Sequence, residues 1–366
     1  MKKLFIAYLF FSFLILTVWG QNSQVEKLKY KINHSKEDTA KVNAILALSK
    51  SYFGTAPEKS ISYGEIAQAL SKKINYPKGQ ALAYKNIGIG YYNKGSYIEA
   101  LQNYKLSLEI FTSLKDSLGI ANIFSNMGNI YYIQGEDYKA LDYYIKSLKI
   151  AENLKDKIRI ATANGNIGAV YMNKRSTYYK ALEYNLNSLK IGEEIGDKNI
   201  IGTSSVNVGQ VYFDQGNTDL AIKYFQKSLS AFEGTENYSI SLVFMGKVYL
   251  KNRDFNRAIG YFDQAYAYAK NIDAKLDMVI ALVEAGILHE KNDDFKAALA
   301  KYKEAEKIAV KLGATDKLRD IYEGIANCLS HLKDYPGAFK YQKLLSTVKD
   351  TLYNKDADKK MGNLQF

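Results

Sequence analysis

The chain has 366 residues, of which 47% are hydrophobic and 24% are charged, and its formal net charge is +12 at pH 7. This composition excludes a disordered or collagen-like chain, and the length exceeds that of one ordinary domain. The single cysteine, Cys328, excludes a disulfide scaffold and a cysteine-based zinc site, and the three histidines are too scattered to suggest a metal centre. We therefore expect a folded protein without a metal ion or other cofactor.

The N-terminal segment has the pattern of a secretory signal peptide. Two lysines follow the first methionine, residues 4–19 are uncharged and nearly all apolar, and Val18 and Gly20 are small residues suited to a cleavage site. An uncleaved membrane anchor is the alternative, but the 16 residues from 4 to 19 span only about 24 Å as a helix, less than the roughly 30 Å bilayer core. We predict that residues 1–20 are removed and that the mature protein is exported to the periplasm or cell envelope.

From about residue 37 to residue 350 the sequence consists of eight repeats of about 40 residues. Each repeat has a small residue at the same position: Ser49, Gly88, Gly128, Gly168, Gly209, Gly246, Gly286 and Ala326. In most repeats an aromatic residue follows three positions later, an alanine follows about twelve positions later, and a second ring comes four residues after the alanine. In the fourth repeat, we expect Tyr184, three residues after Ala181, to supply that ring. These gaps place the residues on one face of a helix.

Turn signals divide each repeat into two helices. The predicted helix C-caps include Gly95, Gly135 and Gly216, and the predicted N-caps include Asp116, Asp156 and Asp197. Each repeat is therefore predicted to form a helix A, a short turn and a helix B, with the small residues allowing the two helices to approach closely.

This pattern resembles the tetratricopeptide repeat (TPR), in which an aromatic residue, Leu-Gly, Tyr, Ala, Phe and Ala recur over 34 residues. The second repeat matches it at Ile87-Gly88, Tyr91, Ala100, Tyr104 and Ser107, and the longer period resembles the extended repeats of kinesin light chains. The resemblance implies an all-α fold, a right-handed α-solenoid (superhelix) of about eight TPR-like helix-turn-helix repeats plus a C-terminal helix. We expect a lead-in over residues 21–36, the solenoid over 37–345, and a C-terminal helix or linker over 346–366.

The candidate binding site is a row of side-chain amides on helix A, which we call the amide ladder. It consists of Asn86, Asn126, Asn166 and Asn207, two residues before the repeat glycine, together with Asn129 and Gln210, one residue after it. The resemblance implies that these positions line a concave groove, where amides can donate to and accept from an extended peptide backbone. Tyr92, Tyr132 and Phe213 would add apolar contacts. The alternative is that the asparagines bond to neighbouring repeats or face water.

The sequence contains no recognisable catalytic constellation. The acidic pairs Glu193-Glu194 and Asp293-Asp294 lie at predicted helix ends, and His289 occupies an aromatic packing position. Lysines are spread over the B helices and arginine is rare, which argues against nucleic-acid recognition. We therefore predict a protein that is not an enzyme, with a protein or peptide as its partner.

The C-terminal residues suggest a second resemblance. An export signal, a TPR array and residues 349–360 together are similar to the periplasmic sensor regions of Bacteroidetes histidine kinases and nucleotide cyclases, in which a helix continues into a transmembrane segment. This resemblance gives an alternative to the free-standing binder, in which the chain is the N-terminal sensor region of a membrane signalling protein whose output domain (a histidine kinase or a nucleotide cyclase) lies outside it. We expect contact with a membrane only through such a following segment or through an uncleaved N-terminus. A structural scaffold that assembles with itself is a further alternative.

Overall fold

The computed structural model describes residues 24–364, with side chains described as far as residue 352. The predicted signal peptide, residues 1–20, lies outside the described residues. Across the described range the secondary structure is helical, without a strand, so the predicted all-α class is confirmed. None of the helices in this range is both long enough and apolar enough to cross a bilayer.

The described helices form a lead-in helix and eight helix pairs. Helix α1 covers residues 24–34 of the predicted lead-in. The pairs, each with helix A before helix B, are α2 (Thr39–Ser51) and α3 (Pro57–Lys73), α4 (Pro77–Lys94) and α5 (Tyr97–Ser113), α6 (Ser117–Ile133) and α7 (Asp137–Asn153), α8 (Lys157–Tyr171) and α9 (Tyr178–Ile195), α10 (Lys198–Gln215) and α11 (Thr218–Phe232), α12 (Tyr238–Lys251) and α13 (Phe255–Asn271), α14 (Lys275–Lys291) and α15 (Phe295–Leu312), and α16 (Thr315–His331) and α17 (Tyr335–Leu364). The repeat number and the division of each repeat therefore agree with the sequence prediction.

The chain forms two compact units. The first ends at Lys155 and contains the first three repeats, and the second begins at Asp156 and contains the last five.

The turns between helices contain the kinds of cap that the sequence predicts, namely aspartate N-caps and glycine C-caps. Asp116 accepts a hydrogen bond from the backbone N–H of Gly119 at 2.9 Å, and Gly95 has a left-handed φ of 80°. Arg253 takes the same left-handed conformation, with φ of 59°, in a turn that has no glycine.

The expected C-terminal helix is not a separate element but the continuation of the last helix B. Helix α17 has 30 residues and combines helix B of the eighth repeat with the expected trailing helix. The physical reason is that the sequence after Tyr341 contains no glycine or proline before Gly362. Leu345 and Val348 continue the buried face of the repeat along the same helix, so the chain has no local signal to turn.

The repeat glycines lie against aromatic rings of helix B. A Cβ atom added to Gly128 would lie 2.6 Å from Cε1 of Tyr144, and one added to Gly209 would lie 2.6 Å from Cε1 of Phe225. The two rings are almost completely buried, with 2% and 0% of their surface exposed. Glycine at this position therefore lets helix A pack directly on the ring, as the repeat pattern predicted.

The fourth repeat has a polar residue where the second, third, fifth, sixth and seventh repeats have a ring, and the prediction of Tyr184 at this position was wrong. The buried position is Asn185, which is fully buried and donates from Nδ2 to the carbonyl oxygen of Ala181 at 2.8 Å. Tyr184 instead stacks on Tyr171, with ring centroids 5.7 Å apart. The reason is the helical period, because a residue three positions after Ala181 points about 100° away from one four positions after it.

A second set of rings explains much of the tyrosine content. In five repeats a helix A tyrosine stacks on a helix B tyrosine, with centroids 5.3–5.8 Å apart and planes within 23°. The pairs are Tyr52 and Tyr63, Tyr131 and Tyr143, Tyr171 and Tyr184, Tyr212 and Tyr224, and Tyr249 and Tyr261. In four of them a Lys or Arg from the start of helix B lies over the helix A ring, at 4.5–5.4 Å from its centroid. We call these groups the tyrosine stacks.

Candidate functional site

The amide ladder lies on helix A of the second to fifth repeats, as predicted. Asn86 on α4 and Asn126 on α6 belong to the first unit, whereas Asn166 on α8 and Asn207 on α10 belong to the second. The surroundings of these side chains differ from repeat to repeat, although the sequence positions are equivalent. The four asparagines therefore do not form one uniform row of available amides.

Asn86 cross-links two neighbouring A helices. Only 6% of its surface is exposed, and its Nδ2 donates to the carbonyl oxygen of Leu46 on α2 at 3.1 Å. Asn93, further along α4, makes the same kind of bond to the carbonyl oxygen of Phe53 at 2.6 Å. The amide nitrogen of Asn86 is thus already used within the fold, in line with the structural alternative for this residue.

Asn126 has a different environment. It is half-buried, and among the described residues its amide has no hydrogen-bond partner. Asn129, three residues later on α6, accepts a hydrogen bond from the Tyr144 hydroxyl at 2.7 Å. Tyr132 follows at the same spacing, which places all three side chains along one side of the helix. The side of α6 that carries Asn126 therefore combines an amide without a partner, an amide bonded to a phenol, and a further phenol.

Three tyrosine hydroxyls belong to this same region. Burial raises the pKa of Tyr144, and the neighbouring phenols of Tyr92 and Tyr132 raise it further. Burial also raises the pKa of both Tyr92 and Tyr132, so these groups stay protonated at neutral pH and can donate hydrogen bonds. Within the described chain the hydroxyls of Tyr92 and Tyr132 have no hydrogen-bond partner. We call the group of Tyr92, Asn126, Asn129, Tyr132 and Tyr144 the phenol–amide cluster.

The ladder in the second unit is largely bonded within the fold. Asn207 donates from Nδ2 to Oδ1 of the buried Asn185 at 2.9 Å, and Gln210 donates from Nε2 to Oδ1 of Asp214 at 2.8 Å. Asn166 is half-buried and also interacts within the chain. Sequence reasoning missed the role of Asn185 here, although counting four residues from Ala181 would have placed it in the core.

Side chains from the following repeats cover the end of this ladder. Lys251 lies with Nζ 4.4 Å from the ring centroid of Phe213 and donates to the carbonyl oxygen of the same residue at 2.6 Å. Lys247 pairs with Glu284 on the next helix A, with 3.3 Å between Nζ and Oε1. Phe213, which we expected to contact a ligand, therefore already has a cation on its ring. In the described structure, the phenol–amide cluster of the first unit offers more unused donors and acceptors than the second-unit ladder.

The side chains considered as metal ligands or nucleophiles lie next to other charged groups or are buried. Across the described residues, no three His, Cys, Asp or Glu side chains are placed to hold a metal ion. His289 is half-buried, with Nδ1 3.9 Å from Oδ2 of Asp294. Cys328 is fully buried, and burial together with the adjacent Glu290 carboxylate raises the pKa of its thiol to about 12. A thiol that remains protonated is a poor nucleophile.

Solved structures with a similar fold come from several classes of protein. The quorum sensor NprR from B. thuringiensis in its apo form has 18% identity and a TM-score of 0.63, covering 95% of this chain and 100% of that chain. A Rap protein complexed with competence and sporulation factor has 16% identity and a TM-score of 0.59, covering 98% and 100%. Yeast Tom70 has 14% identity and a TM-score of 0.60, covering 91% and 66%. At these identities the likeness shows the fold alone.

Sequence comparisons agree with the repeat pattern. A search of curated protein sequences finds no match. Family models described as tetratricopeptide repeat match residues 79–153, 159–234 and 245–311, which together make up more than half of the chain. Five of the six ends of these ranges lie within two residues of the end of a helix pair, and the third range begins inside α12. The chain therefore belongs to the tetratricopeptide repeat family.

Proposed function

We propose that this TPR protein is a non-catalytic scaffold that is exported to the periplasm, where it binds a peptide or an extended protein segment on the helix A side of its repeats. The observation that carries the proposal is the phenol–amide cluster. It holds the half-buried amide of Asn126 and the hydroxyls of Tyr92 and Tyr132, none of which has a hydrogen-bond partner among the described residues.

The chemistry of this cluster suits a peptide backbone. An extended chain presents N–H donors and C=O acceptors in alternation, and the Asn126 amide can serve one of each. The phenols of Tyr92 and Tyr132 add hydroxyl donors and apolar ring surface, which suits a ligand with both polar and apolar parts. Each neutral hydrogen bond contributes about 0.5–1.5 kcal/mol net, so these bonds provide selectivity while burial of apolar ring surface supplies most of the affinity.

Two structures of similar fold give further support. One is a Rap protein complexed with competence and sporulation factor, and the other is a quorum sensor. The names of these two proteins connect this fold with a signalling factor and with sensing. The signal-peptide pattern of residues 1–20 supports the periplasmic location, since it predicts export.

The proposal can be tested with peptides selected for binding. Peptides would be selected from a random phage-displayed library on the exported chain, and their affinity would be measured by calorimetry. The double variant Asn126→Ala and Tyr132→Phe should bind about ten- to a hundredfold more weakly, since 1.4 kcal/mol corresponds to tenfold. The matched control is Asn103→Ala, which removes an amide from helix B of the same unit, where it bonds only to the carbonyl oxygen of Glu99.

The outcomes distinguish a role of the Asn126 amide in peptide binding from a purely structural role. Weaker binding by the double variant, with unchanged binding by the control, supports recognition at the phenol–amide cluster. Unchanged affinity in the double variant would show that the cluster does not bind the peptide. Circular dichroism of each variant checks that the helical fold is retained.

A second candidate function is the sensor region of a membrane signalling protein. The observation that favours it is the length of α17, which has 30 residues, whereas the helices from α2 to α16 have 13 to 18. A long continuous helix can transmit movement of a repeat array to a following segment. Sequencing the gene beyond the codon for Phe366 tests this candidate, and a stop codon at that point would rule it out.

A further inference from the structure

The second unit contains a cavity of about 700 Å³ at its eighth repeat. We call it the C-terminal cavity. It lies between Glu290 on α14, the side of α16 from Asp320 to Ser330, and Phe339 on α17, with Tyr302 of α15 in its lining. None of the ladder or cluster residues described above lines it, so it is a separate site.

The cavity lies beyond the amide ladder, which is confined to the second to fifth repeats. Gly324 occupies the position that carries asparagine in the second to fifth repeats, two residues before the repeat's small residue. A Cβ atom at Gly324 would lie 2.4 Å from Cζ of Tyr302, so the ring takes the place of a side chain. In the second repeat, by contrast, Asn86 reaches from this position to the preceding helix A. Because Gly324 cannot make such a cross-link, no ladder side chain crosses the C-terminal cavity.

The lining of the cavity is negatively charged. It includes Glu290, Asp320 and Glu323, and no Lys or Arg, although the chain has 50 Lys and Arg residues. Glu290 is held in place by hydrogen bonds from the Tyr302 hydroxyl at 2.8 Å and the Asn327 amide at 2.9 Å. The carboxylate of Asp320 contacts only the side chain of its neighbour Arg319, at 2.8 Å. Glu323 is exposed and makes no ion pair within the described chain, but it lies near the same Arg319, whose pKa Asp320 and, more weakly, Glu323 raise.

The remaining lining suits an aliphatic chain that ends in a positive charge. Ile287, Tyr302 and Ala338 form apolar parts of the wall. Phe339 is 62% exposed and adds apolar ring surface for an aliphatic stem, while the ammonium group of Lys343 lies 4.7 Å from its ring centroid. Lysine and arginine side chains bury their aliphatic stems on apolar surface while their charged ends reach carboxylates.

We propose that the C-terminal cavity binds the lysine or arginine side chains of a basic peptide segment, with the charged end at Asp320 and Glu323. The volume is large enough for one or two such side chains together with part of their backbone. This inference rests on the proposed function, since it takes a peptide as the ligand, and it adds the charge of that peptide and a second place where it binds.

Fluorescence anisotropy with two labelled probes tests the inference. One probe is a peptide of alternating lysine and alanine, and the other is its glutamate–alanine counterpart. The net charge of the whole chain is +12, so nonspecific attraction favours the glutamate probe. We expect the lysine probe to bind more tightly at low ionic strength and to weaken as salt screens the carboxylates.

A charge-neutralising variant locates the site. Asp320→Asn with Glu323→Gln should weaken binding of the lysine probe about tenfold or more. The matched control is Asp316→Asn with Asp350→Asn, which removes two exposed carboxylates, one from α16 and one from α17, outside the cavity lining and should leave affinity unchanged. Phe339→Ala, at an exposed position, provides a second variant that should weaken binding without affecting the fold.

The possible results are distinct. Tighter binding of the glutamate probe, or equal binding of the lysine probe by the Asp320/Glu323 variant and the control, overturns the inference. If the lysine probe does not bind while library-selected peptides still bind and depend on Asn126, this inference fails and the proposed function stands. If neither the probes nor selected peptides bind, both fail.

Discussion

The contact between helix A and the buried ring allows a quantitative test of the repeat packing. A Cβ atom at Gly128 would lie 2.6 Å from Cε1, 2.7 Å from Cδ1 and 3.1 Å from Cζ of Tyr144. The ring cannot move freely, because it is buried and its hydroxyl donates to Asn129. Gly128→Ala therefore adds an overpacking cost of about 1–3 kcal/mol. The same change gains about 1 kcal/mol of helix propensity, since glycine is disfavoured inside helices.

A matched glycine separates these two contributions. Gly260 lies inside α13, and a Cβ atom added there would have no heavy atom within 4 Å. Gly260→Ala should therefore stabilise the protein by about 1 kcal/mol through propensity alone. The difference between the two variants in free energy of unfolding is the packing cost, about 1–3 kcal/mol. Urea denaturation measures it, and hydrogen exchange shows whether the loss is confined to α6 and α7. Equal stability of the two variants would refute the proposed contact between Gly128 and Tyr144.

Three further predictions concern other parts of the chain. Asn185→Ala removes a fully buried amide that bonds to Ala181 and Asn207, so thermal or urea unfolding should show a loss of about 1–3 kcal/mol. Asn103→Ala, which removes a less buried bond of the same type to Glu99, should change stability by less than about 0.5 kcal/mol. The raised pKa of Cys328, about 12, keeps the buried thiol protonated at pH 8. A disulfide reagent should therefore label this cysteine only after unfolding, and rapid labelling of the native protein would contradict its burial. Mass spectrometry of the exported protein should find a mature chain that begins at Gln21, whereas a retained N-terminus in the membrane would identify residues 4–19 as an anchor.

The repeat architecture was predictable because its signals are local. Gly88, Tyr91 and Ala100 have helical spacing, and the same offsets recur often enough to fix where each helix pair begins and ends. The caps also depend on a few adjacent residues, as the hydrogen bond from the Gly119 N–H to Asp116 shows. The buried position of the fourth repeat also follows from the spacing, because the residue four positions after Ala181 is Asn185. The rings of the neighbouring repeats favoured Tyr184 instead, although it is only three positions after Ala181.

The partners of the ladder residues were not predictable from the repeat. Asn86 bonds to a carbonyl group 40 residues away, and Asn207 bonds to a buried asparagine that breaks the repeat pattern. Such contacts depend on how neighbouring helices are rotated, which the spacing of core residues does not determine. The C-terminal cavity likewise requires side chains from four helices. Its one signal in the sequence was the replacement of the ladder asparagine by Gly324.

The tyrosine stacks have a consequence for how the protein folds. The two rings of each stack are only 11 to 13 residues apart in the chain, and both belong to the same repeat. Closing so short a loop has a small entropic cost, so each helix pair can form before any contact with its neighbours. A chain built from such short-range contacts has a low contact order, which is associated with fast folding. Folding can therefore start in any of the stacked repeats and spread to adjacent ones, so a part of the chain that holds one complete repeat can become ordered before the remaining repeats have formed.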